Sequence, residues 1–143
     1  MKVSNCMTRD VTVCAPDDSI CKVAVAMAKL DCGVIPIGEN NKLVGVVTDR
    51  DIAIRGVAQG MGPDTPAREL MSDEVLYSFE DQDLDEVSAN MASLKVRRLP
   101  VVDRDKNLVG ILSLGDIALN NGKAGIGAFE AISQPGAPHS QSM

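Results

Sequence analysis

Two short segments combine residue types that can hold a nucleoside and its phosphate: Gly45-Val-Val-Thr48-Asp49-Arg50-Asp51 and Gly110-Ile-Leu-Ser113-Leu114-Gly115-Asp116. In each, a hydroxyl residue closes an apolar run and an aspartate follows three positions later. A hydroxyl at a strand end, followed by a helix start whose first N–H groups lack intrahelical acceptors, offers an anion several donors at the positive end of a helix dipole. A carboxylate one helical turn further on can accept hydrogen bonds from both hydroxyls of a ribose. Phosphate plus ribose describes a nucleotide. The same residues also describe ordinary helix capping, with Thr48 and Ser113 as N-caps and the aspartates stabilising the first turn. Recurrence of the arrangement is what favours a site.

Catalysis finds less support. Acyl transfer, hydrolysis and redox chemistry need clustered groups, such as a nucleophile beside a positioned base. The single histidine, His139, lies in a Gly- and Pro-rich tail, and no G-x-S-x-G, Walker or G-x-G-x-x-G pattern occurs. Asp17 and Asp18 precede a helical pattern and read as turn and helix-start residues. No catalytic residue is assigned. The four cysteines, Cys6, Cys14, Cys21 and Cys32, have neither metal-knuckle nor redox-pair spacing. They are expected to be buried or incidental thiols in a reducing compartment, with metal or redox sensing as the alternative; no metal ligand is assigned.

The elements that position the two segments come from a tandem repeat. Met7-Thr8 and Met71-Ser72 open stretches that read alike 64 residues apart: Asp17 meets Asp81, Val23 meets Val87, Met27 meets Met91, and Pro36 meets Pro100. After a one-residue insertion, Leu43-Val44-Gly45 meets Leu108-Val109-Gly110 and Asp51 meets Asp116. Ser19 stands as an N-cap before Ile20, Val23, Met27 and Leu30, one face of a helix predicted to end near Gly33; Leu84, Val87, Met91 and Leu94 repeat it. Hairpins are predicted over Val34–Ile37 with Leu43–Thr48, and over Leu99–Val102 with Leu108–Ser113. A last helix starts at Asp49 or Leu114. Each repeat is thus strand, helix, strand, strand, helix, an α+β arrangement. The predicted organisation is 1–58 for the first repeat, 59–66 for a Gly- and Pro-rich linker, 67–119 for the second repeat and 120–143 for a C-terminal segment. Within that segment Ala128–Ile132 is expected to form a short packed turn, and the end, from Gln134, to be disordered.

The length of 143 residues suits one packed core, and 45% hydrophobic with 24% charged residues excludes a disordered chain. No apolar run is long enough to span a bilayer. Aromatics make up only 2%, which leaves no stacking platform for single-stranded bases. The net charge of −6 has the wrong sign for broad contact with nucleic acid or anionic lipid, so neither is expected as a partner. The start, MKVSNCMTRD, lacks the apolar stretch of a secretory signal, and a cytoplasmic location is expected.

These motifs resemble a pair of cystathionine β-synthase (CBS) domains, the Bateman module. The resemblance rests on Met7-Thr8 and Met71-Ser72, Ile35-Pro36-Ile37 and Leu99-Pro100-Val101, and the G-h-h-[ST]-x-x-D pattern in both repeats, over about Val3 to Leu119. TDRDIAIRGVAQG is also similar to stand-alone bacterial CBS pairs such as the hypoxic response protein group. The resemblance implies a pseudo-twofold pair whose two clefts between the repeats accept AMP, ADP or ATP as a regulatory ligand, with no cofactor. It gives Asp51 and Asp116 the ribose, and brings Thr48 and Ser113 near ribose or phosphate. Adenine falls to Val11, Val13, Gly33, Val34 and Ile35 in one repeat, and to Val75, Tyr77, Arg97 and Leu99 in the other. Arg50, Arg97 and Arg98 are candidates for phosphate because a guanidinium forks onto it, the bland alternative being a solvated basic rim. The implied function is a non-catalytic sensor that forms a homodimer and signals to a protein target not legible in the chain. The alternative is a ligand-free dimerisation or protein-interaction scaffold.

Overall fold

Apolar residues at three- and four-residue spacing form the two helices expected of them. In the computed structural model, which describes residues 1–72, 74–120 and 122–133, α1 spans Ile20–Leu30 and α2 spans Leu84–Leu94. Ser19 caps α1, its Oγ accepting from the Lys22 N–H at 3.1 Å, and Asp83 caps α2 through the Asp85 N–H at 3.2 Å. The buried faces are Ile20, Val23 and Met27 in α1, and Leu84, Val87, Ser88 and Met91 in α2. The helix predicted to reach Gly33 stops at Leu30. Asp31 takes the left-handed conformation (φ 50°) and closes its N–H onto the Met27 carbonyl, and Lys95 (φ 56°) ends α2 in the same way.

The strands are β1 (Val34–Glu39), β2 (Lys42–Thr48), β3 (Ser78–Phe79), β4 (Arg98–Val102) and β5 (Leu108–Ser113). β1 pairs with β2 and β4 with β5, both antiparallel, with matching irregularities at Ile37/Gly38 and Val101/Val102. Asn40 and Asn41 turn the first hairpin with φ of 52° and 66°, left-handed angles that asparagine tolerates. The strand expected to open each repeat is only partly formed. β3 pairs in parallel with β4, while in the first repeat only a single parallel bridge forms, Cys14 with Ile37.

The closing helices differ. α3 (Leu114–Asn120) is regular, whereas the helix that begins at Asp49 winds as a π-turn over Asp51–Gly56 and ends in a 3₁₀ turn at Val57–Gln59. In place of the short turn expected at Ala128–Ile132 there is a 12-residue helix, α4 (Gly122–Ser133), which packs on α2 and α3 and buries Ala128 and Ile132. Tertiary packing overrides the poor helix propensity of its glycines. The tail from Gln134, with His139, lies outside the described residues.

Packing divides the chain otherwise than repetition does. Among the described residues, one unit lies within Thr12–Val75; the other joins Met1–Val11 to those from Leu76 to Ser133. The N-terminal segment predicted as part of the first repeat (1–58) therefore packs in the unit of the second, and the start of the second repeat (from 67) packs in the unit of the first. The two changeovers, Val11/Thr12 and Val75/Leu76, lie one repeat apart. In the unit holding the second repeat, Val3 and Met7 join Leu84, Val87, Met91, Leu99, Val101, Leu112 and Ile117 in the core. In the other, Ala67 and partly buried Met71 complete a core of Cys14, Val23, Met27, Ile35, Ile37 and Val47. The linker 59–66 is built into its unit, since the Thr65 and Pro63 carbonyls accept from the Ile20 and Cys21 N–H groups at 2.8 and 3.1 Å and close the start of α1. Met1 does the same for α2 through Leu84 (2.8 Å).

Of the four cysteines, Cys14 is a buried core residue, Cys6 and Cys32 are half-buried, and Cys21 is exposed; at Cys14 the reason for a thiol is visible. Cys14 is 3% exposed, and its repeat counterpart Ser78, 2% exposed, has an Oγ without a hydrogen-bond partner among the described residues. A thiol meets the demands of that position better than a hydroxyl, whose unpaired burial costs about 1–3 kcal/mol.

Candidate functional site

β2 and β5 carry the two hydroxyl residues to equivalent points. Thr48 pairs with Val34 at the start of β1, and Ser113 with Arg98 at the start of β4. One residue on, the Asp49 N–H donates to the Gly33 carbonyl and the Leu114 N–H to the Arg97 carbonyl, both at 2.9 Å. The strand-to-helix turn is thereby pinned to the residue before the proline strand. Gly33, Val34, Thr48 and Asp51 come together in one unit, and Arg97, Arg98, Ser113 and Asp116 in the other.

Hydroxyl and carboxylate lock each turn reciprocally. The Asp51 N–H donates to Thr48 Oγ1 at 3.0 Å, and the Thr48 N–H donates back to Asp51 Oδ2 at 2.9 Å. Asp116 and Ser113 repeat the pair at 3.0 and 2.9 Å. This is a capping box with aspartate in the acidic role. The helix starts were expected to offer several N–H donors to an anion; in the first repeat they do not, because the N–H groups of Asp49, Arg50 and Asp51 already bond to Gly33 O, Asp49 Oδ1 (2.8 Å) and Thr48 Oγ1. In the second, Leu114 supplies no carboxylate to Gly115. What each box leaves over is carboxylate, since only Oδ2 enters it. Thr48 is 4% exposed and serves first as a cap, while Ser113 is half-buried.

The other candidates divide. Ile35 and Leu99 send their side chains into the cores, so only their backbone is available to a ligand. Val11 and Val13 fall in different units, as do Val75 and Tyr77. Arg50 and Arg97 are exposed and Arg98 half-buried. Tyr77 stands edge-on to Phe79, their centroids 5.6 Å apart, with Lys106 over Tyr77 and the Arg104 guanidinium 4.2 Å above Phe79. The alternation of aromatics at 77 and 79 was the available signal for this group. Sequence reasoning also missed Arg55, whose guanidinium lies 3.8 Å from Asp51 Oδ1; its position four residues after the aspartate was the signal.

Burial pushes the Cys6 thiol up, and the Asp116 carboxylate pushes it further against a smaller pull from the N-terminal amine. Cys14 is raised by burial and then by Asp18. Thiols held protonated are poor nucleophiles and poor metal ligands. Among the described residues no group of three or more His, Cys, Asp or Glu is placed to hold a metal ion, and no helix is long and apolar enough to cross a membrane.

The family model for the CBS domain matches residues 3–56 and 67–120. The chain belongs to the CBS domain family. Its two matches begin at Val3 and Ala67, the core residues that the two units exchange. Among relatives, the chain is 42% identical over 118 residues to the CBS domain-containing protein YhcV of Bacillus subtilis, covering 82% of this chain and 84% of that one. It is 37% identical over 114 residues to hypoxic response protein 1 of Mycobacterium tuberculosis, with 78% and 79% covered. Among solved structures, Hypoxic Response Protein I with two coordinated zinc ions superposes with a TM-score of 0.76 at 34% identity, over 83% of this chain and 98% of that one. The CBS pair of protein MJ0100 in complex with 5′-methylthioadenosine and S-adenosyl-L-methionine gives 0.74 at 30%, over 86% and 98%. CBSX2 in complex with AMP gives 0.75 at 25%, over 85% and 96%. The α+β fold of the CBS pair is common to these three solved structures and this chain.

Proposed function

We propose that this CBS pair is a non-catalytic regulatory module that binds adenine nucleotides (AMP, ADP or ATP) through Asp51 and Asp116 and passes the change to a protein partner. The observation that carries the reading is the capping box built twice, which fixes a carboxylate at a strand end while engaging only one of its oxygens. The ligands named for the two neighbours, AMP on one hand and 5′-methylthioadenosine with S-adenosyl-L-methionine on the other, share adenine and ribose but not phosphate. That supports the carboxylate as the constant part of the site. It also agrees with the first repeat, where the helix-start N–H groups are already used. Phosphate then falls to Arg50, Arg97 and Arg98, and adenine to the backbone at Gly33–Ile35 and Arg97–Leu99 with Val11, Val13, Val75 and Tyr77. The nucleotide acts as a regulatory ligand and not as a cofactor, in a reducing cytoplasmic setting.

Titration calorimetry with AMP, ADP and ATP tests this. Two sites per chain are expected, with one lost in Asp51→Asn and the other in Asp116→Asn. Asparagine keeps an oxygen for the capping N–H but loses the charge and one acceptor, so site loss is separated from helix fraying. Absence of heat with every nucleotide leaves the scaffold reading in place.

A specific observation favours protein contact as well. Leu119 on α3 is exposed at 87%, and Ile126 and Phe129, three residues apart and so on one side of α4, at 62% and 54%; exposed apolar side chains that share a helix side suit an interaction surface. A homodimer with closed twofold symmetry is the proposed arrangement. Sedimentation at micromolar concentration should then give about twice the chain mass of 15.1 kDa, and a monomer would remove the proposal.

A further inference from the structure

The two boxes are alike, but what faces the carboxylate is not. In the first repeat the Arg55 guanidinium stands 3.8 Å from Asp51 Oδ1, the oxygen that the box leaves over. In the second repeat the equivalent residue is Asn120, and its side-chain amide turns away from the carboxylate to donate to the backbone carbonyl of Asp116 at 2.8 Å. The winding differs too. Arg55 sits in the π-turn Asp51–Gly56, a geometry that recurs at functional sites, whereas α3 is regular.

We propose that Arg55 is a built-in competitor for the ribose hydroxyls at the first site, so that the Asp116 site fills before the Asp51 site. This rests on the reading of the aspartates as ribose acceptors and adds an order of filling to it. A vicinal diol needs carboxylate lone pairs, and Oδ2 of Asp51 already spends one on the Thr48 N–H. A diol at Oδ1 must therefore displace the guanidinium or share the oxygen with it. The pair suits displacement: at 3.8 Å it is an ion pair without a hydrogen bond, and the Arg55 side chain is 50% exposed, so it can swing into water. Asn120 imposes no such step on Asp116. A nucleotide sensor made in this way has two thresholds from two nearly identical motifs.

The probe is adenosine, which has no phosphate for Arg55 to attract, and the protein is the full chain carrying Asp116→Asn, so that only the first site reports. Adding Arg55→Gln is expected to tighten adenosine about two- to five-fold, the range that ion pairs of this exposure are worth. Arg55→Lys keeps a cation in place and is expected to retain the parent affinity. 2′,3′-Dideoxyadenosine, which lacks the diol, should bind equally to all three proteins. Unchanged or weaker adenosine binding in Arg55→Gln overturns the proposal, as does an equal shift for the dideoxy compound, which would mark a general effect on the fold. If adenosine binds and the Asp51→Asn protein proves the weaker of the two single-site proteins, the order of filling is wrong although the aspartates bind. If neither aspartate affects adenosine binding, the nucleotide reading falls and this proposal falls with it.

Discussion

Deleting Met1–Val11 is expected to unfold the unit that contains the second repeat, although the deleted residues belong by sequence to the first. Val3 and Met7 are 0% and 8% exposed in the core with Leu84, Met91, Leu112 and Ile117. Truncating a buried methionine to alanine costs about 2–5 kcal/mol and exposing a buried valine side chain about 1.5–3 kcal/mol, so losing Met7 and Val3 together removes at least about 3.5 kcal/mol. The deletion also opens backbone bonds. Val3 and Ser4 donate to the Gln82 and Glu80 carbonyls at 3.0 and 2.9 Å, and Thr8 exchanges two bonds with Ile111, both at 2.9 Å. Since a domain's whole stability is about 5–15 kcal/mol, little would remain. Hydrogen exchange checks it: amides of α2, β4 and β5 should lose protection in the truncated chain. Full protection of β5 would show that the exchanged segment is dispensable.

That exchange was not legible in the sequence, and its own symmetry explains why. Met7-Thr8 and Met71-Ser72 present the same chemistry to Gly110 and Gly45, so residue patterns cannot say which pairs with which. Chain connection decides, and periodicity does not report it. The strands were legible because β-branched runs end at clear turn residues, and Ser19 marked the start of α1 by its side chain. The end of α1 was missed because an aspartate, Asp31, took the left-handed position that glycine more often fills. α4 was missed because its glycines interrupt the apolar period, and its helical form depends on burying Ala128 and Ile132 against α2 and α3. At the site, the spacing from hydroxyl to aspartate revealed the capping box. It could not reveal that Asp49 turns back to take the Arg50 N–H, which removes a donor that the same spacing offered on paper.

Alanine at Gly110 is expected to cost more than alanine at Gly45, and the difference lies in the chain that crosses above each. A Cβ on Gly110 would stand 2.7 Å from Met7 Sδ and 2.8 Å from the Thr8 carbonyl oxygen; on Gly45 the same atoms of Met71 and Ser72 lie at 2.8 and 3.0 Å. The methionine sulfur can move at little cost, but the carbonyl is backbone. At Gly110 it belongs to the tight Thr8–Ile111 exchange, while the Val46–Ser72 counterpart is already longer, at 3.1 and 3.4 Å, and has more room to give. Overpacking of this kind costs about 1–3 kcal/mol, and Gly110→Ala should fall at the upper end with Gly45→Ala at the lower. Urea midpoints compared at constant m-value measure both. The strain should also reach the site. β5 runs on from Gly110 to Ser113, so displacing Thr8 and Ile111 shifts the hydroxyl that holds Asp116, and adenosine binding at that site should weaken in Gly110→Ala while the Asp51 site keeps its affinity. Equal urea midpoints for the two alanine variants would mean that both crossing segments yield alike and that the close approach at Gly110 carries no special constraint.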